Sequence, residues 1–509
     1  MTGAAIELLA TGPRNATFSM DADEHLFERD EALAWRLEKA DGGLVTEGTT
    51  TRVVFSTSQL EPGTAYNLHA GGTGLKFSTR KETALLDIRD FGALLNSPNN
   101  AAAIQRAVEA LPTGGTLKIP EGRWLSGPIF LKSDMALLIE DGAELAAVSD
   151  RDAFPILPAR HPDGRILGTW EGVAEACYAS LVNAIDRHNV IITGGGIVDG
   201  GGDRGDWWLW PKETRNGARR ARTIFLSGCE NVDLTGLTIR NSPAWTVHPA
   251  FCKNLLAADL SIQADPHSPN TDGLNPESCS DVQLAGLAIS VGDDCVAIKA
   301  GKRSPQGMPD QPTERVTISN CLMQRGHGAV VIGSEMSGGV RDIDIRRCYF
   351  KGTDRGLRIK TRRGRGGTVS NIRVADCLME DVATPVAVNS FYFCDADGYS
   401  DYVQSRAPLP VSTETPNIRS ISVENVTVKG ARTAAAVFYG LPEAAIHDIA
   451  FENYSVSFAP DAEAEVPEMA SLLTPLRHAG IIAENTVFSR LTQLSPSSIH
   501  PAPLPTGQD

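Results

Sequence analysis

A polar residue followed by an apolar one, opening a short strand-like segment, returns nine times along this chain. The copies are Asn189-Val190, Asn231-Val232, Asn254-Leu255, Asp281-Val282, Arg315-Val316, Asp342-Ile343, Asn371-Ile372, Ser420-Ile421 and Asp448-Ile449. Most neighbours lie from 23 residues apart (231 to 254) to 34 (281 to 315), with two longer gaps. Alternation of period two is strand patterning. Irregular spacing at this scale fits a solenoid whose coils carry loops on one side. Several copies run on through a turn into a second short strand, as at Leu237-Thr238-Ile239 and Leu287-Ala288-Ile289. Coils of short strands imply an all-β, right-handed parallel β-helix. No coil buries its inner face alone; stacking makes one continuous core.

Cysteines share this register. Cys229, Cys252 and Cys279 each stand two residues before a copy, and Cys321, Cys348 and Cys377 each stand six after one. Equal offsets place each trio in a column. No His or Asp shares the columns, which favours buried thiols filling the interior over a metal ladder.

The flanks read differently. Residues 1–82 give short runs such as Leu33–Leu37 and Arg52–Phe55, then Pro62-Gly63 followed by Tyr66. A Tyr just past such a turn can return its hydroxyl to the backbone of the corner, as in β-sandwiches. This stretch resembles a fibronectin type III module; an irregular β-extension is the other reading. From residue 83 to 494 we expect the β-helix, its open end covered by a helix over Ala101–Leu111 that Asn99-Asn100 would cap. Residues 495–509 are rich in Pro and Ser, and we expect disorder there.

The formal net charge of -15 argues against general nucleic-acid binding. It would also repel an acidic polymer at long range, so an acidic substrate would need a local cationic wall. No apolar run approaches the ~20 residues of a membrane helix. The first residues lack a basic segment followed by an apolar one, and the nine cysteines show no CxxC pair. A cytoplasmic location is therefore the expectation, with atypical export left open.

Chemistry-bearing residues recur late in successive coils: Asp272 in Asn270-Thr271-Asp272-Gly273, Asp293 and Asp294 in Gly292-Asp293-Asp294-Cys295, His327 in Gly326-His327-Gly328, and Arg358 and Lys360 around Ile359. In a solenoid, similar phase means one shared face. Three carboxylates, an imidazole and two cations should gather in one groove, and the flanking glycines suggest tight turns or close backbone approach beside it.

These four motifs, in this order, resemble the polygalacturonase family, glycoside hydrolase family 28. The likeness runs from about Asp90-Phe91-Gly92-Ala93 to near Val456 and includes Ser242–His248. It implies inverting hydrolysis of α-1,4-galacturonosyl linkages, in which an acid protonates the leaving oxygen and carboxylate on the other face activates water. Carried over residue by residue, Asp293 is the general acid, Asp272 and Asp294 handle the water, and His327 tunes the acid. Arg358 and Lys360 would bind the galacturonate carboxylate. The basic run continues through Arg362, Arg363 and Arg365; we expect Arg363 and Arg365 to be solvated. Asn270 would orient Asp272 or touch substrate. Tyr392 fits either a sugar-stacking or a packing role, as do His248 and Trp245. No cofactor or metal is implied; the implied partner is an acidic saccharide.

Long segments at 168–178 and 206–222 could wall off one groove end. The Trp170-Glu171-Gly172 segment and the sandwich both resemble bacterial exo-acting members, so exo action is expected. Competing readings are a rhamnogalacturonan or xylogalacturonan hydrolase, a pectate lyase, and a non-catalytic carbohydrate-binding β-helix.

Overall fold

The computed structural model describes residues 5–303, 308 and 310–499. The proposed tail lies mostly outside these residues. Its first part is ordered: Pro496–Ile499 forms a short helix, which corrects the expectation of disorder from Ser495 onward.

Residues 6–78 form two antiparallel sheets. One has three strands, Ile6–Thr11, Ala16–Met20 and Val54–Thr57; the other has four, Glu28–Lys39, Leu44–Arg52, Ala65–Ala70 and Thr73–Ser78. Between them lie Phe18, Leu37, Tyr66, Leu68 and Phe77. This is a sandwich of the fibronectin type III-like kind. The Tyr66 hydroxyl accepts a hydrogen bond from the Glu61 backbone N–H at 2.8 Å, tying the strand to the preceding corner. The sandwich docks on the solenoid through Ala10, Val53 and Val54, which pack against Leu256, Ala258 and Ala285.

The rest is a right-handed parallel β-helix. All nine repeated pairs stack in one uninterrupted register, Val190–Val232–Leu255–Val282–Val316–Ile343–Ile372–Ile421–Ile449. The ladder also has an earlier rung, Met135 against Val190. The reason for the polar leading residue is conformational: every one of the nine, from Asn189 to Asp448, has a φ between 54° and 60° except Arg315 at 53°. Asn and Asp tolerate this left-handed region best among non-glycine residues. Stacked amides add cross-coil hydrogen bonds, Asn254 to Asn231 at 2.7 Å and Asn231 to Asn189 at 3.0 Å.

A second ladder carries Val198–Ile239–Ile262–Ile289–Met323–Phe350–Met379, and a third carries the groove. All three turn apolar residues into one core. The cysteine columns lie within it as free buried thiols, with Cys252 N–H facing Cys279 Sγ and Cys348 N–H facing Cys377 Sγ, each at 3.4 Å. Helix Ala101–Ala110 covers the first coil with Ile104, Ala107 and Val108. Its N-cap residue, Asn100, makes no side-chain cap bond, being committed to Leu94 and Leu125; the preceding Asn99 accepts from Ala101 N–H through Oδ1.

Tyr66→Phe should lower the sandwich's stability, by about 1 kcal/mol for the loss of one part-buried hydrogen bond, and with it the urea midpoint. Urea titration checks this; an unchanged midpoint would count against the corner.

Candidate active site

In the third ladder each coil enters its strand through a corner at which two consecutive residues face the core. Leu274, Cys295, Val296, Ala329, Val330 and Leu357 are core residues. Gly273 and Gly356 complete two of the pairs: a Cβ at Gly273 would stand 2.6 Å from Ile289 and one at Gly356 2.8 Å from Met379. The residues before and after each pair therefore emerge on the outer face. They are Asp272 and Asn275, then Asp294 and Ala297, then Gly328 and Val331, then Arg355 and Arg358. Bridges from Val247 through Leu274, Val296 and Val330 to Leu357 keep these corners aligned.

Asp272 and Asp294 thus occupy one place in adjacent coils, with Gly328 N-terminal to the next corner. A Cβ at Gly328 would lie 3.4 Å from Asp294 Oδ1, so the glycine keeps the cleft open beside that carboxylate. Asp293 precedes Asp294, and its Oδ1 accepts the Asp294 backbone N–H at 3.0 Å. Gly326, at φ 88°, passes close to the Asp293 carbonyl.

The three carboxyls are not shifted in the same direction. Burial raises Asp272 to about 8, with Asp293 adding to the effect. Burial, then Asp294, raises Asp293 as well. Burial pushes Asp294 up too, but Lys360 and Arg358 outweigh it and hold Asp294 below the ordinary carboxylate value. Lys360 Nζ donates to Asp294 Oδ2 at 2.8 Å, and Arg358 Nη1 lies 4.0 Å from Oδ1. One carboxyl held toward ionisation therefore sits beside two whose titration is pushed upward.

These residues open into a cleft of about 90 Å³. Its floor includes Asp272, Asp293, Asp294, Lys299 and Lys360; Glu171, Lys212 and Asp395 reach it from loops. Trp245 and Tyr392 line it too. The Tyr392 ring faces Arg358 and Lys360, at 5.7 and 5.4 Å from its centroid. Asn270 borders the cleft with its Oδ1 on Arg220 at 2.5 Å, so its side chain is not on Asp272.

Several expectations change. The His327 imidazole bonds Asp354 through Nδ1 at 2.9 Å rather than the acid; that contact, ahead of the nearby Asp293 and Asp294 charges, raises its pKa. Its charge works against the burial and the Asp294 charge that raise Asp293. The planar fork of Arg358 is filled by Glu468, through Nε at 2.9 Å and Nη2, which leaves Nη1 on the side of Asp294 Oδ1. Arg363 and Arg365 are not solvated: they are 1% and 4% exposed, paired with Glu443 and Asp395. His248 is fully buried and sits against Glu277 at 3.0 Å, where burial lowers its pKa to about 4. It packs edge-on to Trp245, with ring centroids 4.7 Å apart, and is not a cleft residue. Glu468, Asp354 and Asn275 went unnoticed in the sequence because no motif marks them.

The chain is thus a parallel β-helix that carries carboxylates and cations together in one outer groove. The family model described as glycosyl hydrolases family 28 matches residues 169–471, and the chain belongs to that family. A probable polygalacturonase of Vitis vinifera is 32% identical over 382 residues, 74% of each chain. An exo-poly-alpha-D-galacturonosidase of Dickeya chrysanthemi is 25% identical, over 74% of this chain and 70% of that one. Among solved structures, a family 28 exopolygalacturonase of Yersinia enterocolitica aligns with TM-score 0.69 at 20% identity, covering 96% of this chain and 95% of that one. An exopolygalacturonase from Thermotoga maritima aligns at 0.61 with 26% identity, over 79% and 91%.

A carboxyl whose folded-state pKa of about 8 exceeds its unfolded value near 4 binds extra protons in the folded state between those limits. It therefore destabilises the fold progressively as pH rises through that window. Asp272→Asn should raise the melting temperature by a few degrees at pH 8, with a smaller gain at pH 5. A melting difference independent of pH would contradict this.

Proposed function

We propose that this chain is a polygalacturonase that hydrolyses α-1,4-linked galacturonan by single displacement with inversion, working from a chain end. Asp293 donates its proton to the leaving glycosidic oxygen. Asp294, kept ionised by Lys360, takes a proton from the attacking water, and Asp272 orients that water from the adjacent coil. The observation that carries this reading is the split among neighbouring carboxyls: Asp294 paired with Lys360 at 2.8 Å beside Asp293 with its pKa raised. Inverting hydrolysis needs one acid and one carboxylate base at the same time. Lys360 has further ammonium protons and Arg358 keeps Nη1 free of Glu468; these receive the uronate carboxylate as charge-assisted donors.

Action from a chain end is supported by the walls. Glu171 meets Lys212 at 3.2 Å and Lys302 at 3.9 Å, and Lys302 meets Asp395 at 2.9 Å. Asp395 is also held by Arg362 and Arg365. These rungs join the hairpin Thr169–Ala174 to the segment after Phe391, and Glu171, Lys212 and Asp395 among them line the cleft. Relatives of both habits exist: an endo-polygalacturonase of Pectobacterium carotovorum subsp. carotovorum is 29% identical over 58% of this chain. The nine free thiols fit work in a reducing compartment, on short oligogalacturonides.

A reducing-end assay on polygalacturonate and trigalacturonate tests this. Asp293→Asn should lose about two to four orders of magnitude in rate, the scale for a positioned general acid. Wild type should release monomer or dimer from the outset. Early mid-sized fragments would overturn chain-end action, and an unsaturated, ultraviolet-absorbing product would overturn hydrolysis.

A further inference from the structure

The corner geometry places a polar donor at Asn275 where the next two groove corners carry apolar side chains. Asn275 follows the inward pair Gly273-Leu274, as Ala297 and Val331 follow theirs. It is fully buried, and its Nδ2 donates to Asp272 Oδ2 at 2.7 Å. Among the described residues this is the side-chain hydrogen bond that Asp272 makes. An amide nitrogen can only donate, so Oδ2 is fixed as an acceptor and Oδ1 is the oxygen left for the cleft. Asn275 is itself held in place: bridges Val247–Leu274 and Ala250–Glu277 set it opposite His248. His248 is pinned by Glu277, which also accepts from Thr169 Oγ1 at 3.0 Å.

We propose that Asn275 is a positioning residue for the reaction: it fixes the rotamer of Asp272 and directs Oδ1 at the attacking water. This rests on the galacturonan-hydrolase reading above. A carboxyl on the outer face could otherwise rotate about its Cβ–Cγ bond and present either oxygen. With Oδ2 occupied, any proton Asp272 carries belongs on Oδ1, where it must leave before that oxygen can accept from water. The amide bond favours the ionised form. The other charges acting on Asp272 are Asp293 and Asp294, which oppose ionisation, and Lys299, which favours it; Arg220 is also close enough to feel it. His248 is neutral at working pH.

The test is the pH dependence of kcat and KM on trigalacturonate for wild type, Asn275→Ala and Asn275→Leu, with melting temperatures alongside. Asn275→Ala should lower kcat about tenfold to a hundredfold with KM changed less than about twofold, as for loss of a hydrogen bond to a charged group in the transition state. The acid limb of the kcat profile should move up by about one pH unit. Asn275→Leu, close in size and with no side-chain donor, should move it the same way and serves if the alanine variant does not fold. A kcat and acid limb equal to wild type, with only the melting temperature reduced, would overturn the proposal. Wild type inactive on galacturonan would instead sink the hydrolase reading, and the assignment with it; the wild-type arm separates the two failures.

Discussion

Each coil of the solenoid takes its register from hydrogen bonds to the coils on either side, and the turn into the first ladder is made by a residue with positive φ in every one of nine coils. That local conformation lets polar residues stand where a strand begins without breaking the stack. Once register is fixed, residues far apart in the chain but alike in phase must meet. Asp272, Asp294 and Lys360 become neighbours for this reason, although none is near another through a loop or a turn that could be designed locally.

Gathering charge in this way opposes folding. Desolvating carboxylates is costly, and a buried ion pair recovers that cost only with good geometry and further hydrogen bonds. Here the geometry answers with unequal solutions. Asp294 is held toward ionisation by Lys360, whereas the titration of Asp272 and Asp293 is pushed upward. Arg358 is buried against Glu468, so its charge is aimed rather than free. The inequality is what the chemistry needs: identical carboxylates could not serve as acid and base at once. Stability given up at the site is carried by the apolar ladders, which continue without interruption beneath it.

Much of this was legible in the sequence. The repeat placed all nine copies in one ladder, the cysteine offsets gave both thiol columns, and the short glycine-flanked motifs marked the three aspartates. Charge was read less well. Arg363 and Arg365 look like a solvated basic loop, yet their counter-ions, Glu443 and Asp395, lie 80 and 30 residues further along the chain. Glu468 reaches Arg358 across 110 residues. Nothing in the spacing announces such partners, because they come from loops outside the repeat. His248 was ambiguous for a different reason: a polar residue on the outer face of a ladder is exposed only if no loop covers it, and here Trp245 and the Thr169 hairpin do.

A crystal structure of the Asp293→Asn variant with trigalacturonate bound tests the central claim most directly. The account predicts the scissile oxygen within about 3 Å of residue 293, a uronate carboxylate against Lys360 and Arg358 Nη1, and a water held between Asp272 and Asp294 on the opposite side of the sugar. A saccharide bound elsewhere on the solenoid, or seated with its scissile bond remote from these three side chains, would contradict it.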